Sequence, residues 1–295
     1  MRIGIVGHRG GWHTAALRRA LSRRGLEAPF FDITRFTARV SHRPWLEVDG
    51  SALESLDVIF VRLIPGGSLE QIIFRVDALH RLEHAGVCVI NSPATIERTV
   101  DKFYTSTLLE DAGLPTPQTV VVEQADAAAE AFHALGGDVV VKPLFGSEGR
   151  GMVRVTDPDV AHRVFRALDL GRYVYYLQAF IPHDQKDIRV FVIGDKAVAA
   201  MVRRGATWKT NVAQGADAVP LPLDPELAEL ARRAARAVDA HYAGVDLLPT
   251  PDGDYSVIEV NGIPGWKGLQ GATGIDIADH LVRYALEGID ETPRP

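Results

Sequence analysis

The chain has 295 residues, 46% of them hydrophobic and 24% charged, with a net charge of −6 from 32 basic and 38 acidic side chains. That length suggests about two domains, and the balance excludes a disordered chain, a collagen-like repeat and a coiled coil. The apolar runs are strand-sized, far below the ~20 residues of a membrane span, the acidic balance argues against a dedicated nucleic-acid binder, and a single cysteine, Cys88, excludes internal disulfides and multi-cysteine metal sites.

Residues 1–7 (MRIGIVG) lack a signal-peptide pattern and read as a first core strand over 2–6. With one cysteine, this leads to the expectation of a cytoplasmic protein. A turn, Gly7-His8-Arg9-Gly10-Gly11, precedes a helix over 14–24 whose Leu17, Ala20 and Leu21 share a face. A buried strand over 57–63, a helix over 69–85 ended by Gly86 and a strand over 87–91 follow. Cys88 lies in this last apolar run and is expected to be a buried, inert thiol. Strands separated by helices predict a parallel sheet with helices on its faces.

Ser92-Pro93 opens a helix expected to carry Asp101 and Lys102 and to end near Gly113. Then come strand 119–123, helix 126–135, strand 139–143, a glycine-rich loop, strand 152–155, helix 157–168 and strand 173–180. Two alternating strands, 188–193 and 197–203, a polar segment, a helix over 225–241 and a final hairpin complete the prediction. No internal repeat or low-complexity tract occurs, and 292–295 is expected to fray.

Five segments carry chemistry. Lys142 ends a buried strand and is followed by Gly146-Ser147-Glu148-Gly149-Arg150-Gly151. Glycines let backbone N–H groups wrap an oxygen-rich anion, and a nearby ammonium adds charge. The lysine precedes the glycines, so this is not a P-loop, and a strand follows, so it is not a dinucleotide fingerprint; a plain hairpin turn is the bland alternative. In the last hairpin, Asp252-Gly253 signals the turn. Centring it there pairs Asp246 with Glu259 and puts Asn261 on the same face. Facing carboxylates repel unless a cation lies between them, and hard oxygen ligands suit magnesium shared with phosphates. Asp187 and Arg189 share a strand face, opposite Ile188, Val190 and Val192. Arg203, Arg204 and Lys209 with Asn211 form a basic, amide-bearing connection suited to carboxylate or phosphate oxygens. Gly262, Gly265 and Gly268 follow the proposed metal ligands and suggest a loop close to a ligand. The histidines show no metal spacing, and no serine-triad order is evident.

Taken in order, Lys142 with GSEGRG, Gln178-Ala179-Phe180-Ile181, Asp187-Ile188-Arg189, Asn211 and Asp246…Glu259-Val260-Asn261 resemble the ATP-grasp superfamily, and within it the RimK-like α-L-glutamate ligases. The resemblance spans nearly the whole chain. It implies an α/β plus α+β fold: a pre-ATP-grasp parallel-sheet domain (1–95), a central lobe (96–185) and a C-terminal lobe with the metal site (186–291), the two lobes holding ATP between them. It implies that Lys102 and Lys142 contact phosphates while the loop of Gly146, Ser147, Glu148, Gly149 and Gly151 closes over them. Gln178, Ala179, Phe180 and Ile181 would form the adenine hinge, with Ala179 where relatives often carry Glu, and Asp187 would lie near the ribose. Asp246, Glu259 and Asn261 would bind Mg²⁺, two ions with Mn²⁺ as a substitute. Arg189, Arg203, Lys209 and Asn211 would hold phosphates, an acyl phosphate or a substrate carboxylate.

The implied reaction activates a carboxylate as an acyl phosphate and captures it with the α-amino group of L-glutamate. Relatives act on protein C-termini, carrier-bound amino acids and cofactors. The segments 61–71 (VRLIPGGSLEQ) and 265–270 (GWKGLQ) look most like the tetrahydromethanopterin-type ligases. The implied partners are L-glutamate and a small-molecule carboxylate acceptor, in a homo-oligomer (dimer or tetramer), with no nucleic acid and no membrane. A nucleotide-binding regulator without catalysis is the alternative from another class. It is disfavoured because both lysines and all three expected metal ligands are present.

Overall fold

Apolar strands alternating with one-sided helices build the first unit of the computed structural model, which describes residues 1–146, 149–210 and 215–290. Its elements are β1 (Ile3–Val6), α1 (Trp12–Ser22), β2 (Phe30–Phe31), β3 (Thr37–Ala38), β4 (Leu46–Val48), β5 (Ser51–Ala52), β6 (Val58–Val61), α2 (Leu69–His84) and β7 (Cys88–Ile90). Strands β2-β1-β6-β7 form a parallel sheet. β1 and β6 are buried at every position, as strands covered on both faces must be. Leu17 and Leu21 of α1 cover one face, and Leu79 and Leu82 of α2 the other. A capping box between Ser68 and Gln71 starts α2. β2 and the small antiparallel sheet β3-β4-β5 were not anticipated, because runs of two or three residues carry no readable period. Cys88 is half-buried rather than buried, and burial followed by the charge of Glu83 pushes its thiol pKa up.

The helix predicted from Ser92 to Gly113 is two helices, α3 (Pro93–Val100) and α4 (Lys102–Asp111). Asp101 between them is extended, and its carboxylate accepts hydrogen bonds from the amides of Phe103 and Tyr104. It is a new N-cap, not a helix interior residue.

The second unit comprises β8 (Thr119–Val122), α5 (Ala125–Ala134), β9 (Val139–Lys142), β10 (Val153–Val155), α6 (Pro158–Leu170) and β11 (Tyr175–Ala179). Its antiparallel sheet runs β10-β9-β11-β8. Phe132 of α5 and Phe165 of α6 pack on it beside Val139, Val141 and Leu177.

The third sheet is antiparallel with order β14-β13-β12-β15-β16, made of β12 (Lys186–Ile193), β13 (Lys196–Arg204), β14 (Asp217–Leu221), β15 (Tyr242–Pro249) and β16 (Tyr255–Asn261). α7 (Pro225–Ala237) covers one face through Leu227, Ala231 and Ala234. It stops short of 241, as Asp239 turns left-handed at φ +58°. The other face packs on α8 (Lys267–Thr273) and α9 (Ile277–Asp290), and α9 also closes against α1. β14, α8 and α9 were missing from the prediction. No helix among the described residues is long and apolar enough to cross a membrane.

Candidate active site

The hairpin β15–β16 sets the acidic patch. Asp246 stands opposite Glu259, as the turn reading predicted, but by a different route. The loop is longer, with Pro249 paired to Tyr255 and the Thr250 amide donating to the Asp254 carbonyl. A bulge at Ile258 then restores the register, since Leu247 pairs with Val257 and Asp246 with Glu259. Asn261 Nδ2 lies 3.5 Å from both Asp246 Oδ2 and Glu259 Oε2. Among the described residues no three His, Cys, Asp or Glu side chains cluster as a metal site. The patch is two carboxylates and one amide, a set that would need further oxygens from water or phosphate to complete a magnesium shell.

Two arginines already face this patch. Arg189 is bidentate to Asp246, Nε–Oδ1 2.6 Å and Nη2–Oδ2 2.5 Å. Arg203 lies on β13, not in a solvated connection, and is only 3% exposed. It is bidentate to Asp187 at 2.5 Å and reaches Asp246 Oδ2 at 3.1 Å. Asp187 also accepts from Thr210 Oγ1 at 2.6 Å. Its carboxylate is therefore turned to Arg203 and Thr210, and Arg189 pairs across the sheet with Asp246 instead of along its own strand with Asp187. Burial works against the charge of Asp246, but Arg189 and Arg203 outweigh it and hold its pKa below the usual carboxylate range. Burial and then the neighbouring Asp246 charge push Asp187 up, against the pull of Arg203 and Thr210.

The cationic side comes from the second unit. Lys142 Nζ donates to Gln178 Oε1 at 2.5 Å and lies 6.0 Å from the centre of the Tyr176 ring. The Gln178 amide is held in turn by Thr119 Oγ1 and Tyr176 Oη. Among the described residues Lys142 has no ion pair, and its partner Gln178 is neutral. Burial lowers its pKa to about 8, with Glu259 partly opposing the shift. Lys102, at the start of α4, reaches across to the Gly146 carbonyl at 2.7 Å, and burial lowers its pKa as well. The glycines earn no side chain here for a backbone reason: Gly146, Gly149 and Gly151 have φ of +144°, +69° and +74°.

One cleft between the second and third units joins these groups. Lys102, Lys142, Gly146, Gly149, Gln178, Ala179, Phe180, Ile181, Asp187, Arg203, Lys209, Asp246 and Glu259 all line it. Arg189 and Asn261 join it through Asp246. Ser147, Glu148 and Asn211 lie outside the described residues. Ala179 and Phe180 tie the hinge down, their amides donating to the carbonyls of Gln118 and Asp138.

A model of the RimK PreATP-grasp domain matches residues 1–96, and one of the RimK-like ATP-grasp domain matches residues 99–285. The chain is a RimK-like ATP-grasp ligase. It is 36% identical to the tetrahydromethanopterin:alpha-L-glutamate ligase of Methanosarcina acetivorans, covering 79% of this chain and 80% of that one. The enzyme of the same name from Methanococcus maripaludis is 34% identical over 97% of this chain and 98% of its own. The solved structure of the ATP-grasp ligase PsnB, complexed with minimal precursor, Mg and ADP, shares the fold, with a TM-score of 0.76, 24% identity and 98% coverage of both chains.

Sequence reasoning missed some residues of this RimK-like cleft. Thr210 bonds Asp187, and Tyr176 and Thr119 orient Gln178. Strand alternation could have found Tyr176, two residues before Gln178 and on the same face. Thr210 carries no such signal, because it lies beyond the strand that presents Arg203.

Proposed function

We propose that this ligase uses ATP and Mg²⁺ to join the α-amino group of L-glutamate to a carboxylate acceptor through an acyl phosphate, the acceptor being a pterin cofactor of the tetrahydromethanopterin type. One observation carries the reading: a single cleft sets Lys142, a half-buried ammonium with no ion pair among the described residues, opposite a patch of two carboxylates and an amide, Asp246, Glu259 and Asn261. A half-buried cation whose partner, Gln178, is neutral fits a phosphate, and oxygen donors fit a hard metal ion. The sequence likeness to tetrahydromethanopterin:alpha-L-glutamate ligases supports the acceptor class and the amino acid.

In this reading Lys102 and Lys142 hold the phosphates, and the 146–151 turn covers them. The backbone of 179–181 receives the adenine. Asp246, Glu259 and Asn261 would hold Mg²⁺, which would supply charge neutralisation at the transferred phosphoryl group. Arg189 and Arg203 stand beside the point where the acceptor carboxylate attacks the γ-phosphate. They stabilise the charge that gathers there and again on the tetrahedral oxygen when the amine displaces phosphate. Lys209 lines the same cleft and completes the anion site, and Asn211 is assigned to it on sequence alone. No protein nucleophile is required. ADP release should depend on L-glutamate and one acceptor from a panel of carboxylates that includes tetrahydromethanopterin, and the product should gain the mass of one glutamyl residue. Tight ATP binding with no ADP release for any acceptor would instead favour a regulator.

A further inference from the structure

Just past the hinge, the chain turns sharply at His183-Asp184-Gln185-Lys186, where β12 begins. The Lys186 amide donates to the His183 carbonyl at 2.9 Å, and Asp184 and Gln185 are both left-handed, at φ +47° and +57°. Two positive φ values in succession mark a type I′ turn, a conformation in which glutamine is uncommon. The Gln185 carbonyl accepts the Gly205 amide at 3.0 Å, which ties the turn to the end of β13. The turn therefore bridges the hinge of the second unit and two strands of the third.

This turn also fixes the His183 imidazole. Nδ1 lies 2.9 Å from the Lys186 carbonyl. A carbonyl can only accept, so Nδ1 carries the proton, and in the neutral ring Nε2 is a bare acceptor. Nε2 has no partner among the described residues. It is not sealed in the core either. The buried side-chain polar atoms that lack a partner there belong to Arg62, Thr116, Trp266 and Gln270. His183 lines the cleft beside Phe180 of the hinge, their ring centres 5.6 Å apart, so the cleft is where Nε2 finds an occupant.

Asp187, the carboxylate expected near the ribose, is buried, and its two oxygens already accept hydrogen bonds from Arg203 Nε, Arg203 Nη2 and Thr210 Oγ1. With adenine at 179–181 and phosphates at Lys102 and Lys142, the ribose of a bound nucleotide lies between them. Apart from the amino group of the base, the two ribose hydroxyls are the only donors such a nucleotide offers once its phosphates are ionised. A bare acceptor beside the hinge matches one of them. We propose that His183 Nε2 accepts a hydrogen bond from a ribose hydroxyl and makes the cleft select ribonucleotides over deoxyribonucleotides. This assignment rests on the nucleotide reading of the cleft.

Titration calorimetry with ADP, 2′-deoxy-ADP and 3′-deoxy-ADP, each with magnesium, tests it. The wild-type protein should bind ADP about tenfold more tightly than whichever deoxynucleotide lacks the hydroxyl that Nε2 meets. Two variants split the two ring nitrogens. His183→Asn can place an amide N–H where Nδ1 stands, which keeps the turn, but it has nothing at Nε2. His183→Gln can bring an amide oxygen to the Nε2 position and loses the Nδ1 donor. In His183→Asn, ADP should weaken about tenfold to the level of that deoxynucleotide, whose own affinity holds, so the discrimination disappears. In His183→Gln most of the discrimination should remain. Equal binding of all three nucleotides by the wild type, or discrimination that survives in His183→Asn, overturns the assignment. An equal weakening of all three in both variants reduces His183 to closing the turn and overturns it too. Failure of the wild type to bind ADP at all overturns the nucleotide reading itself, whereas ADP binding without discrimination overturns only the role of His183.

Discussion

Asp246 and Glu259 face each other across one pair of strands, yet their surroundings make them unequal. Asp246 is 2% exposed and pairs with two arginines, whereas Glu259 is half-buried and is met at 3.5 Å by Asn261. Glu259→Gln should therefore abolish turnover, by about 100-fold or more, with little change in melting temperature. Asp246→Asn should abolish turnover and also destabilise the protein by about 3–5 kcal/mol, because Arg189 loses its carboxylate in a buried site. Calorimetry of both variants separates the roles, and equal stabilities would contradict the assignment. Lys142 makes a second distinction at this scale. Its pKa is lowered from 10.5 to about 8, chiefly by burial, so its ammonium is lost as the pH rises through about 8. Affinity for ADP and magnesium should fall between pH 7 and 9, and Lys142→Arg should remove that fall, as titration calorimetry would show. The unfolded chain keeps this proton up to about 10.5, so the same shift makes folding more favourable as the pH rises across that window. The chemistry at this scale was legible because Lys142, Asp246 and Glu259 interrupt apolar strands. Their partners were not, since nothing in the order of residues says that Arg189 pairs with Asp246 and Asp187 with Arg203.

At the scale of elements, legibility followed length. Long, periodic or continuous apolar runs such as β12, β13 and α2 were predicted to within a few residues. β2 to β5 were too short to show a period. α8 carries two glycines in its seven residues, LysGlyLeuGlnGlyAlaThr, and reads as a loop by propensity. α9 did carry a signal, with Ile277, Ala278, Leu281, Val282 and Ala285 recurring on one face, but it stood behind a glycine-rich stretch that reads as a loop passing a ligand. That stretch is tight for a packing reason. A Cβ on Gly262 would lie 2.3 Å from Thr99 Oγ1, so the turn after β16 closes directly on α3. Gly262→Ala should cost about 1–3 kcal/mol through this overlap. Thr99→Ala in the same chain should return part of it, because the obstructing Oγ1 and Cγ2 are gone, and chemical denaturation of the three variants measures the coupling.

At the scale of the whole molecule, alternating strands and helices were enough to foresee a parallel sheet, and the ordered motifs pointed to the family. What they could not convey was how the first sheet joins the third. That junction is one continuous core in which Ile3, Leu17 and Phe60 meet Phe191, Tyr242, Trp266 and Leu281, residues up to 278 positions apart in the chain. His13 sits at this seam, accepting the Trp266 amide with its imidazole in T-shaped contact with the Trp266 ring, their centres 4.6 Å apart. Burial, then the charges of Arg62 and Lys267, lower its pKa from 6.5 to about 4. The unfolded chain binds a proton at His13 below about 6.5, and the folded chain resists it until about 4, so stability falls as the pH drops through this window. Each unit of the window costs up to about 1.4 kcal/mol. His13→Gln offers the amide an acceptor that does not titrate in this range, so the fall in melting temperature between pH 7 and 5 should be smaller for the variant than for the wild type. Because Trp266 leads into α8 and follows the Asn261 strand, opening the seam at low pH should loosen the patch of Asp246, Glu259 and Asn261 as well. Hydrogen exchange at pH 5 should then show the amides of 261–270 opening together with those of α1, and protection that persists at 261–270 while α1 exchanges would mean that the junction does not couple the two units.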